Sequence, residues 1–426
     1  MSKKYKIIIG LVFFFIFIAG LALQIDDDIA PEVQEMYQQV TTHKESEAYV
    51  YLLGLQANAN EDPKIVGQQL LKSLRKSEQS YSIEGCKKVV KFEEYPDDKR
   101  LPPLKLGSCS NALCETVDIL FSHKFDSDNI PEEQQILLKR YRKFLSFKDF
   151  HSLEILHLES PIPPFKYIID GSNLVNLIAI DKAKKQHFAE STQILLENIS
   201  ALRPHLIQAD TLIQKLIYTA ALSRSLDVLS ILRNKHKNFY KAVIKPLNKD
   251  ERNLVKSMAY ENIMLYNISK NMANCPNYIY NNFQIPEWLY KTVYKPNITI
   301  NSLHTMYKKV ARNSLVTSEE FTKKTSKEKP SKFRKYKIRN LLGSAAIYNN
   351  SQADFHRFVA RVFALDAKIQ LFNETASLAS SPKDIIKIKN PFYPSEKTAY
   401  LNKDKKSVCF DVPTLTRERD RCLRIK

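Results

Sequence analysis

The chain has 426 residues, 44% of them hydrophobic and 10% aromatic, enough to bury a large core and too apolar for a disordered polymer. Its net charge of +19 favours anionic partners, namely acidic lipid headgroups, anionic envelope polymers or nucleic acid, against the plainer reading of a lysine-rich solvated surface. Only 8 glycines are present where ordinary usage gives roughly 30, and no phosphate loop, dinucleotide fingerprint or nucleophile elbow can be built from them.

The N-terminus reads "KKYKIIIGLVFFFIFIAGLALQIDDD". Residues 7–23 are uncharged, and at about 1.5 Å per residue they make roughly 25 Å of helix, a short span for a hydrocarbon core of about 30 Å. Lys3, Lys4 and Lys6 before this run and Asp26, Asp27 and Asp28 after it predict a cytoplasmic N-terminus and an exported body. The expected segment is an uncleaved signal-anchor; the alternative is a signal peptide removed at Gly20-Leu21-Ala22. Export would place all six cysteines in an oxidising compartment, where disulfides are the default. The local pairings expected are Cys86 with Cys109 or Cys114, and Cys409 with Cys422, while Cys275 is expected to be buried or paired.

Scarce glycine with abundant Leu, Ile, Lys, Glu and Gln predicts helices. A first helix is read over 31–53, stopping at Gly54 as a C-cap, and Asp62-Pro63 opens a second as N-cap and first helical residue. A proline-containing loop over 81–111 holds Cys86, Cys109 and the acidic group Glu93, Glu94, Asp97 and Asp98. Such acid could supply a carboxylate pair for sugar hydrolysis, but in this setting it reads first as solvated. Helix resumes over 129–145, and the middle third predicts helices over 192–202, 211–222, 225–232 and 249–272 joined by short connections. "IDGSN" (170–173, with Ile169) offers Ser172 without a nucleophile elbow and reads as a turn before the next helix.

Residues 277–294 are rich in aromatics; Tyr278, Tyr280, Trp288 and Tyr290 form an interaction surface or, by the commoner precedent, a packing seam. The segment 317–340 is read as a basic linker or loop, whose Lys323, Lys324, Lys327, Lys329, Lys332, Arg334, Lys335, Lys337 and Arg339 could face something anionic. A long amphipathic helix follows over 354–378. The tail predicts two short strands, 398–401 and 407–411, as a β-hairpin stapled by Cys409 and Cys422. The fold class expected is mainly α: an irregular helical bundle or solenoid-like stack after one N-terminal transmembrane helix, with a small C-terminal β-hairpin. The divisions are 1–24 (anchor), 25–115 (N-terminal helices with the cysteine-bounded loop), 116–316 (helical core), 317–340 (basic linker), 341–380 (amphipathic helix) and 381–426 (stapled tail).

Asn390-Pro391-Phe392, Tyr400 and the strand 405–410, together with "AYVYLLGLQANANEDP" over 48–63, resemble the tails and first helices of uncharacterised, singly anchored periplasmic proteins of Gram-negative bacteria. That resemblance covers about a tenth of the chain and implies a compartment and an architecture, with no activity to carry across. Histidines are scattered: His151 and His157 are six apart, on opposite sides of a helix, and no metal or other cofactor is expected. The expected function is a non-catalytic scaffold or accessory factor of the inner membrane, its main domain periplasmic, binding a protein partner or an anionic envelope component. The rival reading is a hydrolase of cell-envelope polymers, and nucleic acid is the less expected partner.

Overall fold

The computed structural model describes residues 3–84, 92–107, 116–154, 160–236, 242–274, 286–327, 338–352, 355–377, 382–415 and 417–426, apart from some helical side chains. The first helices are α1 (Lys3–Gln24), α2 (Pro31–Thr41), α3 (Glu47–Gly54), α4 (Pro63–Glu84), α5 (Thr116–Ser122) and α6 (Glu132–Leu145). The centre holds α7 (Lys166–Lys184), α8 (Phe188–Gln208), α9 (Leu212–Lys235), α10 (Lys249–Arg252) and α11 (Val255–Asn274). Then come α12 (Glu287–Val293), α13 (Pro296–Asn313), α14 (Ser318–Lys327), α15 (Leu341–Gln352), α16 (His356–Ser377) and α17 (Pro382–Ile385). The tail adds β1 (Tyr400–Leu401), β2 (Ser407–Cys409), α18 (Glu418–Arg421) and β3 (Cys422–Arg424). The protein is therefore mainly helical with one small antiparallel sheet.

The centre of the core is α7, buried along most of its length. It packs on α6, α8 and α9, and α9 in turn meets α16 from far along the chain. Such non-sequential contacts are those of an irregular bundle; in a solenoid each unit would meet only its neighbours. Gly171 allows the close approach of α7 to α6, because a Cβ there would lie 2.4 Å from the Tyr141 ring. "IDGSN" thus sits inside α7, with Ser172 fully buried, and is not the expected turn. Gly54 likewise serves contact: a Cβ would strike the Pro63 carbonyl oxygen at 1.8 Å, where α3 meets α4.

Several boundaries differ from expectation for local reasons. The helix read over 31–53 is two, because the Ser46 hydroxyl accepts from Tyr49 N at 3.2 Å and starts α3 afresh. The helix read over 249–272 is also two, since Asn253 accepts from Val255 N at 2.8 Å and opens α11. The helices read over 211–222 and 225–232 are one, running unbroken through Ser223-Arg224. Pro204 lies inside α8, which continues to Gln208. Part of the basic linker is helix α14, with Phe321 fully buried beneath it. The expected hairpin gains a third strand in the order β1-β2-β3, with Tyr400 opposite Cys409 and Cys409 opposite Cys422.

Helix α1 is continuous over 22 residues. Among the described residues no helix is long and apolar enough to cross a membrane. Several side chains on which the expected span depends, Phe13, Ile16 and Phe17 among them, lie outside the described residues. The aspartates after α1 fasten it to the body. Asp26 accepts from the backbone amides of Asn297 (2.9 Å) and Ile298 (3.2 Å), capping α13 from outside its own segment. Asn297 and Asn301 donate to the carbonyls of Asp27 and Asp28, and Arg339 donates to that of Ile25.

Candidate functional site

A cavity of about 820 Å³ lies between α5, α9, α16 and the tail. Its floor is one face of α9: Leu216, Thr219, Ala220, Ser223, Arg224 and Asp227 recur at i, i+3, i+4, i+7, i+8 and i+11. The same periodicity on α16 brings Arg361, Leu365 and Lys368 to the facing wall, at i, i+4 and i+7. The segment from Arg417 to Asp420 and Arg424 of β3 close the third side. Val117 and Ile119 of α5 complete an apolar strip with Leu216, Ala220 and Leu365.

Deep in the cleft, Lys368 donates to Asp227 Oδ2 at 2.7 Å and to the Ser223 hydroxyl at 2.8 Å. Burial pushes the Asp227 carboxyl up, opposed by the Lys368 charge and by the Arg424 backbone amide, which donates to Asp227 Oδ1 at 3.0 Å. That last bond ties β3 to α9, and the Cys409–Cys422 disulfide ties β3 to β2. Arg424 also pairs with Asp118 of α5. Arg361 and Arg419 both lean on Asp420, at 3.7 and 3.8 Å.

Arg224 differs from these cations. Its guanidinium donates to Asn173 Oδ1 of α7 at 2.6 Å and makes no salt bridge among the described residues; Asp227 and Asp170 act on it only at longer range. Burial pulls its pKa down, so the charge is held at a cost in desolvation without a carboxylate beside it. Behind it a buried polar chain fixes the scaffold: Tyr141 donates to Asn198, Asn198 to Ser225, and Ser225 to Asn176. A half-buried guanidinium with no carboxylate beside it, on the wall of an open cavity, has the chemistry to receive an anion.

The residues singled out from sequence lie elsewhere. Cys409 and Cys422 are bonded as expected, while Cys86, Cys109, Cys114 and Cys275 lie outside the described residues. Lys323 pairs with Glu319 at 2.6 Å, Lys324 and Lys327 are exposed on α14, and Arg339 is engaged with Asp27. Lys329, Lys332, Arg334, Lys335 and Lys337 lie outside the described residues. So do Tyr278, Tyr280 and the side chain of Trp288; Tyr290 is buried, 5.3 Å from Tyr294 between ring centres, and packs the seam. Of the acidic loop, Glu94 and Asp97 pair with Arg100 at the surface. The sequence reading passed over Arg224 and Lys368, which look like ordinary helix charges. The tail carried a visible signal: "TRERDRCLR" concentrates arginine in a chain whose cations are mostly lysine.

A second cavity of about 500 Å³ lies between α2, α11 and α13, lined by Met36, Val255, Met258 and Leu315 with Glu32 and Lys308 paired at its edge. Among the described residues no group of three or more His, Cys, Asp or Glu is placed to hold a metal ion. No family model, no characterised protein and no solved structure matches the chain.

Proposed function

We propose that this protein is a non-catalytic binding factor of the cell envelope, anchored by residues 7–23 with its helical body exported, and that the cleft over α9 holds an anionic component. The observation that carries the reading is Arg224, a half-buried guanidinium with no salt bridge among the described residues, on the wall of a cavity of about 820 Å³. The anchor rests on the uncharged run and its opposed flanking charges, and the ties from Ile25, Asp26, Asp27 and Asp28 to α13 and Arg339 would hold the body close against the bilayer. The rival hydrolase would need carboxylates free to move protons. In this cleft Asp227 is held by Lys368, Asp420 by Arg361 and Arg419, Glu418 by Asn402, and Asp404 by the Lys406 amide.

The test is crosslinking from the cleft in intact cells. A photoreactive side chain in place of Thr219, on the cleft face of α9, is expected to capture an acidic envelope molecule, and the added Arg224→Gln change is expected to abolish that capture. Capture that persists undiminished in the Arg224→Gln protein would remove the cleft from the function. A reporter fused after Lys426 that is active only in the cytoplasm would overturn the exported body.

A further inference from the structure

We infer that the cleft is built for a phosphate monoester on an apolar organic group, a deepening that rests on the anion-binding reading above. Three observations narrow the ligand. First, the cations are the wrong kind for mere solvation. Five of the chain's 17 arginines line the cleft, against one of its 48 lysines. The guanidinium fork matches tetrahedral and planar oxyanions with two parallel donors, which a point-charge ammonium cannot do.

Second, donors converge from three separate elements. Arg224 and Ser223 stand on α9, Arg361 on α16, and Arg417 and Arg419 on the tail. The Ser223 oxygen accepts from Lys368, so its own O–H remains to donate. A carboxylate has two oxygens and is satisfied by one guanidinium, whereas a phosphate monoester presents three oxygens in different directions. Its charge near pH 7 is about −1.5 to −2. The lining carries six cations, five arginines and Lys368, against the four carboxylates Asp227, Asp404, Glu418 and Asp420, a surplus of two positive charges, and Arg224 at the floor and Arg417 at the rim make no salt bridge among the described residues. Third, the strip of Val117, Ile119, Leu216, Ala220 and Leu365 gives the remainder of the ligand an apolar wall beside the charged end. The ester can come from a membrane lipid with a terminal phosphate or from a soluble metabolite; the chemistry that recognises it is the same.

The experiment is calorimetric titration of the full chain in detergent micelles with four probes: phenyl phosphate, dihexanoyl phosphatidic acid, phenylacetate and citrate. Both phosphate monoesters are expected to bind, each at least about tenfold tighter than phenylacetate or citrate. Loss of one charged hydrogen-bonding partner predicts about 10- to 100-fold weaker binding in Arg224→Gln, with Arg224→Lys recovering little because the fork is gone. Arg417→Gln, at an exposed position where folding is not at stake, is expected to lose affinity for the phosphates and little for phenylacetate. The tighter of the two esters identifies the source, lipid or soluble. Equal or tighter binding of the carboxylates, abolished by Arg224→Gln, would overturn the phosphate assignment and leave the anion cleft standing. No heat with any of the four, from a protein whose circular dichroism is helical, would overturn both.

Discussion

Asp227 and Lys368 are buried together, and each is tolerable inside the protein only because of the other. Replacing Lys368 by Met leaves the buried Asp227 carboxylate without its cation and is expected to cost about 3–5 kcal/mol in urea denaturation, while Lys368→Met with Asp227→Leu recovers most of it. A double variant no better than the single would mean that the pair is not coupled. Glu154 gives a pH-dependent counterpart. It is fully buried, accepts from the Tyr49 hydroxyl at 3.0 Å, and burial pushes its carboxyl up to about 8. A carboxyl that holds its proton more tightly when folded adds stability that is complete below about pH 4.5 and is lost as pH rises through about 8. Lys215, drawn down to about 7 by burial, works in the opposite sense, its contribution being lost as pH falls through about 7. The clean measurement is therefore a difference: wild type minus Glu154→Gln in Tm is expected to fall from about pH 5 to about pH 8 and to level off above that. A flat difference would place Glu154 ionised in the folded protein. None of these four buried groups was legible in the sequence, because an ionisable residue looks the same whether its side chain meets water or the core.

Helix ends were more legible than helix continuity. Asp62-Pro63 starts α4 as read, with Asp62 accepting from Lys64 N at 2.7 Å, and Thr211 with Gln214 forms a full capping box at α9. What misled was polar residues in mid-helix: Ser223-Arg224 read as a break because its polarity interrupts an apolar face, and it does so because that face lines the cleft. The cap of α13 could not be read locally at all, since its carboxylate comes from Asp26, some 270 residues away. In the sequence "DDD" reads as a topology signal; in the folded chain its first aspartate caps a helix. Asp26→Ala is expected to destabilise the packing of α13 by about 1 kcal/mol, and Asp26→Asn, which still offers an oxygen acceptor, by only a fraction of that. Amide exchange at Asn297 and Ile298 would show it directly. Unchanged protection in Asp26→Ala would assign the cap to another group.

At the scale of the whole molecule the tail is what closes the cleft. Without β3 and α18 the face of α9 from Leu216 to Asp227 would lie open, so the final residues of the chain complete a site whose floor was laid some 200 residues earlier. The mainly helical class and the Cys409–Cys422 bond were legible from composition and spacing; the docking of the tail on α9 was not, since it depends on long-range pairing of Arg424 with Asp227 and Asp118. The bond therefore does more than close a hairpin. In the unfolded-chain picture a loop of this size contributes about 3 kcal/mol, and here that stability is concentrated in the wall that carries Arg417, Arg419 and Arg424. Replacing both Cys409 and Cys422 by Ala is expected to loosen the tail before the bundle. Limited proteolysis should cut near Arg417 to Arg421 at protease levels that leave the helical core intact, and affinity for phenyl phosphate should fall several-fold with the far-UV spectrum unchanged. A double variant that kept both its tail protection and its affinity would show that α9 and α5 hold β3 in place unaided.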